Sequence, residues 1–98
     1  MVSSLHVVRE GRELGKIDRS FKRRLMKEPE AKVRLIVRTR GEPKVYRSLL
    51  ARRGIKVKRE LALIKALAIE CEASSALALL PEGWVVSLEE DREVRALT

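Results

Sequence analysis

Two carboxylates near the C-terminal end, Glu89 and Asp91, are the residues best placed to do chemistry. They stand two apart in WVVSLEEDREV, a stretch that reads as a strand, so both side chains leave the backbone on one side and can address a common surface. The plainer alternative is a solvated acidic strand end. Catalytic sets are not formed elsewhere: the single histidine, His6, has no partners that would complete a triad, and the single cysteine, Cys71, has no second thiol for a disulfide or a shared metal. Neither a Gly-rich phosphate loop nor a cluster with metal-ligand spacing occurs. The chain therefore reads as a non-enzyme without cofactor or metal, and Cys71 as a core residue.

The 98 residues make one domain with a thin core. An apolar fraction of 45% excludes wholesale disorder, while 37% charged residues predicts a densely ionic surface. Charge is unevenly divided: residues 1–60 carry 19 Lys/Arg against 7 Asp/Glu, and residues 61–98 carry 3 against 7. A basic front and an acidic back steer association with partners of either sign. The start, MVSSLHVVREGRELG, lacks the apolar stretch of a signal peptide, and no run is long enough to cross a bilayer. As written this predicts a cytoplasmic protein; a pro-region cut from a secreted enzyme would be extracellular.

The elements that must position Glu89 and Asp91 follow from periodicity. Residues 1–31 read as a polar arm and a short basic helix, with Asp18 as N-cap, Phe21 and Leu25 one turn apart, and Pro29 as the stop. Arg23 and Arg24 fall on its solvated face. From Val33 the period changes to two, giving a first strand in KVRLIVRTRG. Pro43 opens a helix through about Arg53, with Val45, Leu49, Tyr46 and Leu50 facing inward, and Gly54 ends it. The run IKVKRELALIKALAIECE is too long for one strand and divides near Ala62 and Leu63 into a hairpin. A short Ala/Leu helix follows Glu72 and stops at Pro81 and Gly83, before the last strand. The fold class is α+β: a ferredoxin-like β-α-β-β-α-β unit over residues 32–91, four antiparallel strands with both helices on one face, followed by an extended tail from Arg92. On the third strand Leu67, Ile69 and Cys71 suit the helices. Ala66 and Ala68 are left on the open face with Ile36, a small, flat, partly apolar surface that another protein can approach.

Over residues 32–97 the chain resembles the propeptide and inhibitor domain that precedes subtilisin-like serine proteases. The matching stretches are VRLIVRT, GIKVKRELALIKALAIEC, the helix with its Leu-Leu-Pro-Glu-Gly stop, and VVSLEEDREVRAL. The last is the most specific: Leu88-Glu89-Glu90-Asp91 matches the family's hydrophobic-Glu-x-Asp signature, and Leu97 falls six residues beyond Asp91, where the family is cut. The resemblance implies that Glu89 and Asp91 cap the N-terminal ends of two protease helices, whose N–H groups and dipole favour an anion. It further implies that Val94, Arg95, Ala96, Leu97 and Thr98 enter the protease cleft, Leu97 filling the pocket beside the scissile bond and Val94 the other main apolar pocket. Thr98 departs from the pattern, so either it crosses the cleavage point or the cut falls one residue later. A free-standing inhibitor and the pro-region of a longer protease, acting as chaperone and temporary inhibitor, both fit, and a monomer is expected when free.

A basic nucleic-acid-binding module of the same fold is the alternative, because Arg23, Arg24, Arg34, Arg38, Arg40, Arg52, Arg53 and Lys56 supply the charge that phosphate contacts need. Ferredoxin-like RNA binders stack bases on aromatics of the central strands, and neither VRLIVRT nor KALAIEC contains one. Nucleic acid is therefore the less expected partner.

Overall fold

The computed structural model of the chain describes residues 15–91. The arm over residues 1–14 and the tail over residues 92–98 lie outside the described residues.

Helix α1, Arg19–Lys27, begins where Asp18 accepts a hydrogen bond from the Phe21 N–H at 3.1 Å, an N-cap that stabilises a helix by about 1 kcal/mol. Ser20 Oγ and the Phe21 N–H both donate to Asp18 and hold its carboxyl below the usual carboxylate value. Because the folded value is depressed, the cap's contribution is complete above the unfolded pKa and is lost as pH falls through the folded one. Phe21 and Leu25, one turn apart, are 4% and 1% exposed. Together with Ile17 they belong to the same buried cluster as the sheet, so α1 is part of the domain's core and not an appendage to it. Ile17 also bridges to Leu88, which covers one point of the β4 edge of the sheet.

Four strands follow: β1 Lys32–Thr39, β2 Lys56–Leu61, β3 Ala66–Glu72 and β4 Val85–Glu90. They form one antiparallel sheet in the order β2-β3-β1-β4, the arrangement of a ferredoxin-like unit. Strict alternation on the two central strands sends Leu35, Val37, Leu67, Ile69 and Cys71 to the helix side. The edge strands do not alternate strictly. In β4 the pairing runs from Arg38↔Ser87 to Thr39↔Val85, and the extra residue, Val86, is exposed while Val85 and Leu88 both stay buried. In β2 the pairing skips Lys58 between Val57 and Arg59. Bulges of this kind twist an edge strand and make it a poorer template for further pairing.

Pro43 opens a 3-10 turn, Pro43–Tyr46, that runs into α2, Arg47–Arg52. Residues three apart eclipse in a 3-10 turn, so Pro43 and Tyr46 share the inner side, Leu50 continues it, and Val45 is turned out, 65% exposed. The expectation that Val45 points inward, made with α-helical phasing, is therefore corrected. At the other end Gly54 adopts φ +76°, and the Gly54 and Ile55 N–H groups bond to the carbonyls of Ala51 and Leu50. This is a Schellman closure whose apolar contact is supplied by buried Leu50 and Ile55. Between β2 and β3, Ala62–Ile64 form a further 3-10 turn and Lys65 takes the left-handed conformation, φ 51°. Helix α3, Ala73–Leu77, starts with its Ala73 and Ser74 N–H groups bonded to the carbonyls of Ala31 and Pro29, which ties it to the connection leaving α1. No helix among the described residues is long and apolar enough to cross a membrane.

Because α1 fills the core, Phe21→Ala should lower the unfolding free energy by ~3–5 kcal/mol, whereas Val45→Ala should change it by less than ~0.5 kcal/mol. Urea titrations of the two variants measure this directly. Equal effects would place Phe21 outside the core.

Candidate functional site: the helix-free face of the sheet

The face opposite the helices is built by the residues that alternate with the core set. Ile36 of β1 lies opposite Ala68 of β3, which in turn lies opposite Arg59 of β2; the next row is Arg38, Ala66 and Leu61. The two alanines are turned to this face as expected, yet they are 0% and 2% exposed. Their methyl groups lie between larger side chains on both neighbouring strands and are covered by them, so the expectation that Ala66 and Ala68 form a flat surface open to contact is corrected, and half-buried Ile36 is the apolar residue of this row that reaches solvent.

Charge is graded across this face. Lys56, Lys58 and Arg59 follow one another along the β2 edge, and Glu89 stands on the opposite edge strand, β4. Ion pairs that cross this surface include Lys58–Glu70 at 3.4 Å and Arg38–Glu89 at 3.9 Å. The Lys58 ammonium, by hydrogen bond and by charge, draws the Glu70 carboxyl below its ordinary value.

At the end of β4 three consecutive carboxylates are sorted between the two faces. Glu89 lies opposite Ile36 on the open side, where Ser87 Oγ donates to it at 3.3 Å and its side chain remains 56% exposed. Glu90 lies opposite Leu35 and belongs to the helix side, where both Arg24 guanidinium nitrogens donate to its two oxygens at 3.1 and 2.8 Å. The ladder continues one residue past the strand through the Asp91 N–H and the Arg34 carbonyl, 3.1 Å, which returns Asp91 to the side of Glu89. The guanidinium of Arg24 sits 5.4 Å from the centroid of the buried Phe21 ring. Phe21, Arg24 and Glu90 together line two clefts, of about 500 and 660 Å³, one on each side of the ion pair.

Of the sequence-derived site residues, Glu89, Asp91, Ile36, Ala66 and Ala68 all fall on the helix-free face. Val94, Arg95, Ala96, Leu97 and Thr98 lie outside the described residues. Sequence reasoning missed the part of Arg24, assigned there to a solvated helix face, because its partner is 66 residues away and no local signal links them. Cys71 is buried, and desolvation, helped by the neighbouring Glu70 and Glu72 charges, pushes its thiol up to about 11. Tyr46 and Trp84 stack on each other, centroids 4.3 Å apart, and Trp84 Nε1 is buried without an acceptor among the described residues.

With a thiol pKa of about 11, roughly one Cys71 in a thousand is thiolate at pH 8, so iodoacetamide should leave the native protein unmodified and label it only after denaturation. Fast labelling of the folded chain would show an accessible, activated thiol. In comparison with known proteins, the sequence matches no protein-family model and no curated protein, so the chemistry of the site rests on its own geometry.

Proposed function

We propose that this chain is an inhibitory domain of the subtilisin-propeptide type, docking its helix-free sheet face on a subtilisin-like serine protease and feeding its C-terminal tail into the active-site cleft. The observation that carries the reading is the placement of Glu89 and Asp91 together on the side of the sheet that no described helix covers, next to residues 92–98 in sequence. Two carboxylates there can each accept hydrogen bonds from the exposed N–H groups at a protease helix N-terminus. Of the sheet-face residues, half-buried Ile36 is the apolar one left for a partner to touch, since Ala66 and Ala68 are covered by their neighbours. Six residues beyond Asp91 would span roughly 20 Å if fully extended on a protease, enough to carry Val94 and Leu97 from the docking surface into a substrate cleft.

The nucleic-acid alternative gains nothing from the open face. Its described outer residues include no aromatic, and the chain's Tyr and Trp are engaged with each other. Two of its cations, Arg38 and Lys58, face carboxylates on the same surface.

Inhibition of a subtilisin-like protease on a peptide substrate is the deciding experiment. Glu89→Ala with Asp91→Ala should weaken binding by ~1–3 kcal/mol without altering the unfolding midpoint, and the loss should shrink in high salt. Deleting residues 94–98 should abolish most inhibition, and Leu97→Asp should act almost as strongly because it places an uncompensated charge in an apolar pocket. If Leu97 precedes the cut, brief incubation with protease should remove Thr98 alone. A wild-type chain that inhibits none of several subtilisin-like proteases, yet binds RNA or DNA in a salt-sensitive way, would overturn the assignment in favour of a nucleic-acid module.

A further inference from the structure

The turn joining β2 to β3 carries the most exposed large apolar side chain among the described residues. Leu63 is fully open to solvent and Ile64 is half-exposed, side by side in the 3-10 turn Ala62–Ile64. Turns are ordinarily built from small and polar residues, so backbone geometry does not ask for this pair. Its base is firmly placed. The Lys65 carbonyl accepts from both the N–H and the hydroxyl of buried Thr39, at 2.8 and 3.2 Å, so the two side chains are held out from a fixed support. Lys65 is itself unusual: among the described residues it is the non-glycine residue with a positive φ, 51°, a conformation that glycine adopts more readily. The strained position thus bears an ammonium next in sequence to the apolar pair.

Charge decides what such a tip meets. Lys65 follows Ile64, Arg40 follows Thr39, and Arg59 stands on the open face two residues before Leu61, while Arg38 shares its charge with Glu89. Of the carboxylates at this end, Glu60 is paired with Arg47 at 3.5 Å and Glu42 stands exposed in the connection after β1. Glu90 and Asp91 lie at the other end of the sheet, because β4 runs from Val85, opposite Thr39, to Glu90, opposite Leu35. An anionic surface therefore attracts the Leu63 corner and repels the end of β4, and the molecule meets it tip first. A convex tip encloses no ligand, whereas a bilayer interface takes up apolar side chains without needing a complementary shape.

We propose that Leu63 and Ile64 are a membrane-surface anchor, entering the headgroup boundary of an anionic lipid bilayer while Lys65, Arg59 and Arg40 pair with lipid phosphates and carboxylates. Attachment of this kind needs no spanning helix. Two apolar side chains give weak, reversible binding by themselves, so the cations are an equal part of the site. The proposal does not depend on the inhibitor reading.

Co-sedimentation of the full chain with phosphatidylcholine vesicles containing about one-third phosphatidylserine tests this. Wild type should bind them, and should lose most of that binding on pure phosphatidylcholine or in high salt. Leu63→Ser, at a fully exposed position, should weaken binding about fivefold with no change in the unfolding midpoint. Lys65→Gly relieves the left-handed backbone as it removes the ammonium, so it should raise the unfolding midpoint yet lower affinity about threefold. In Leu63→Trp the added indole emission should shift to the blue on these vesicles and be quenched by lipids brominated on the acyl chain. Equal affinities of wild type and Leu63→Ser, or an unshifted indole in Leu63→Trp, would mean adsorption through the basic surface at large and overturn the anchor. Absence of vesicle binding by wild type would overturn it as well; loss of protease inhibition in Leu63→Ser would then assign the tip to a protein partner.

Discussion

Leu35 and Val37 of β1 and Leu67 of β3 are fully shut from water, and Ile69 is 1% exposed. Everything else in the molecule is arranged around keeping them so. A sheet side chain has only two directions to take, and once one direction is given to these four residues the other is given to Ile36, Arg34 and Arg38 and to Ala66, Ala68 and Glu70. The core and the candidate site are thus two faces of one register. A slip of one residue between β1 and β3 would bury charges and expose the core in the same movement. The edge strands answer to the same demand by different means: where strict alternation would turn Val85 or Leu88 away from the core, β4 inserts Val86 as a bulge, and β2 does the same with Lys58.

Among the described residues the three helices lie on one side of the sheet, and the two sides treat charge differently. On the helix side, ionic contacts join elements: Arg24 of α1 to Glu90 of β4, Arg47 of α2 to Glu60 of β2, and Arg53 beyond α2 to Glu82 before β4. They line the seam where helices meet the sheet's edges. On the open side the pairs run between strands, Lys58 with Glu70 and Arg38 with Glu89, and the surplus is positive toward β2 and negative toward the end of β4. Such a gradient orients an approaching partner before contact is made.

The loops at the two ends of the sheet differ in kind. At the end where β1 meets the 3-10 turn, Thr39 accepts no slack: its N–H and hydroxyl both donate to the Lys65 carbonyl, and Tyr46 and Trp84 stack beside it. At the opposite end the connection leaving α1 supplies the carbonyls that start α3, and the last residue of the ladder is held by a single backbone bond. The acidic end of β4 is supported on its helix side by the bidentate contact of Arg24 with Glu90.

Local signals in the sequence determined the elements. The Asp18 cap, the Pro29 stop, the alternation from Val33 through Val37 and the Gly54 stop each act within a few residues, and each is found where its chemistry puts it, whereas the Ala/Leu helix closes at Leu77, ahead of the expected stop at Pro81. The side of the sheet on which Glu89, Ile36 and the alanines lie was legible for the same reason, because period-two alternation is a property of the backbone itself. Contacts between distant segments were decided only by the tertiary structure. The inclusion of α1 in the core, the outward turn of Val45, the shielding of Ala66 and Ala68 by cross-strand neighbours, and the two edge bulges all depend on which segments become adjacent. The Arg24–Glu90 pair is the extreme case. Nothing within several turns of Arg24 distinguishes it from Arg23, and only the closing of α1 against β4 gives one of the two a carboxylate to hold.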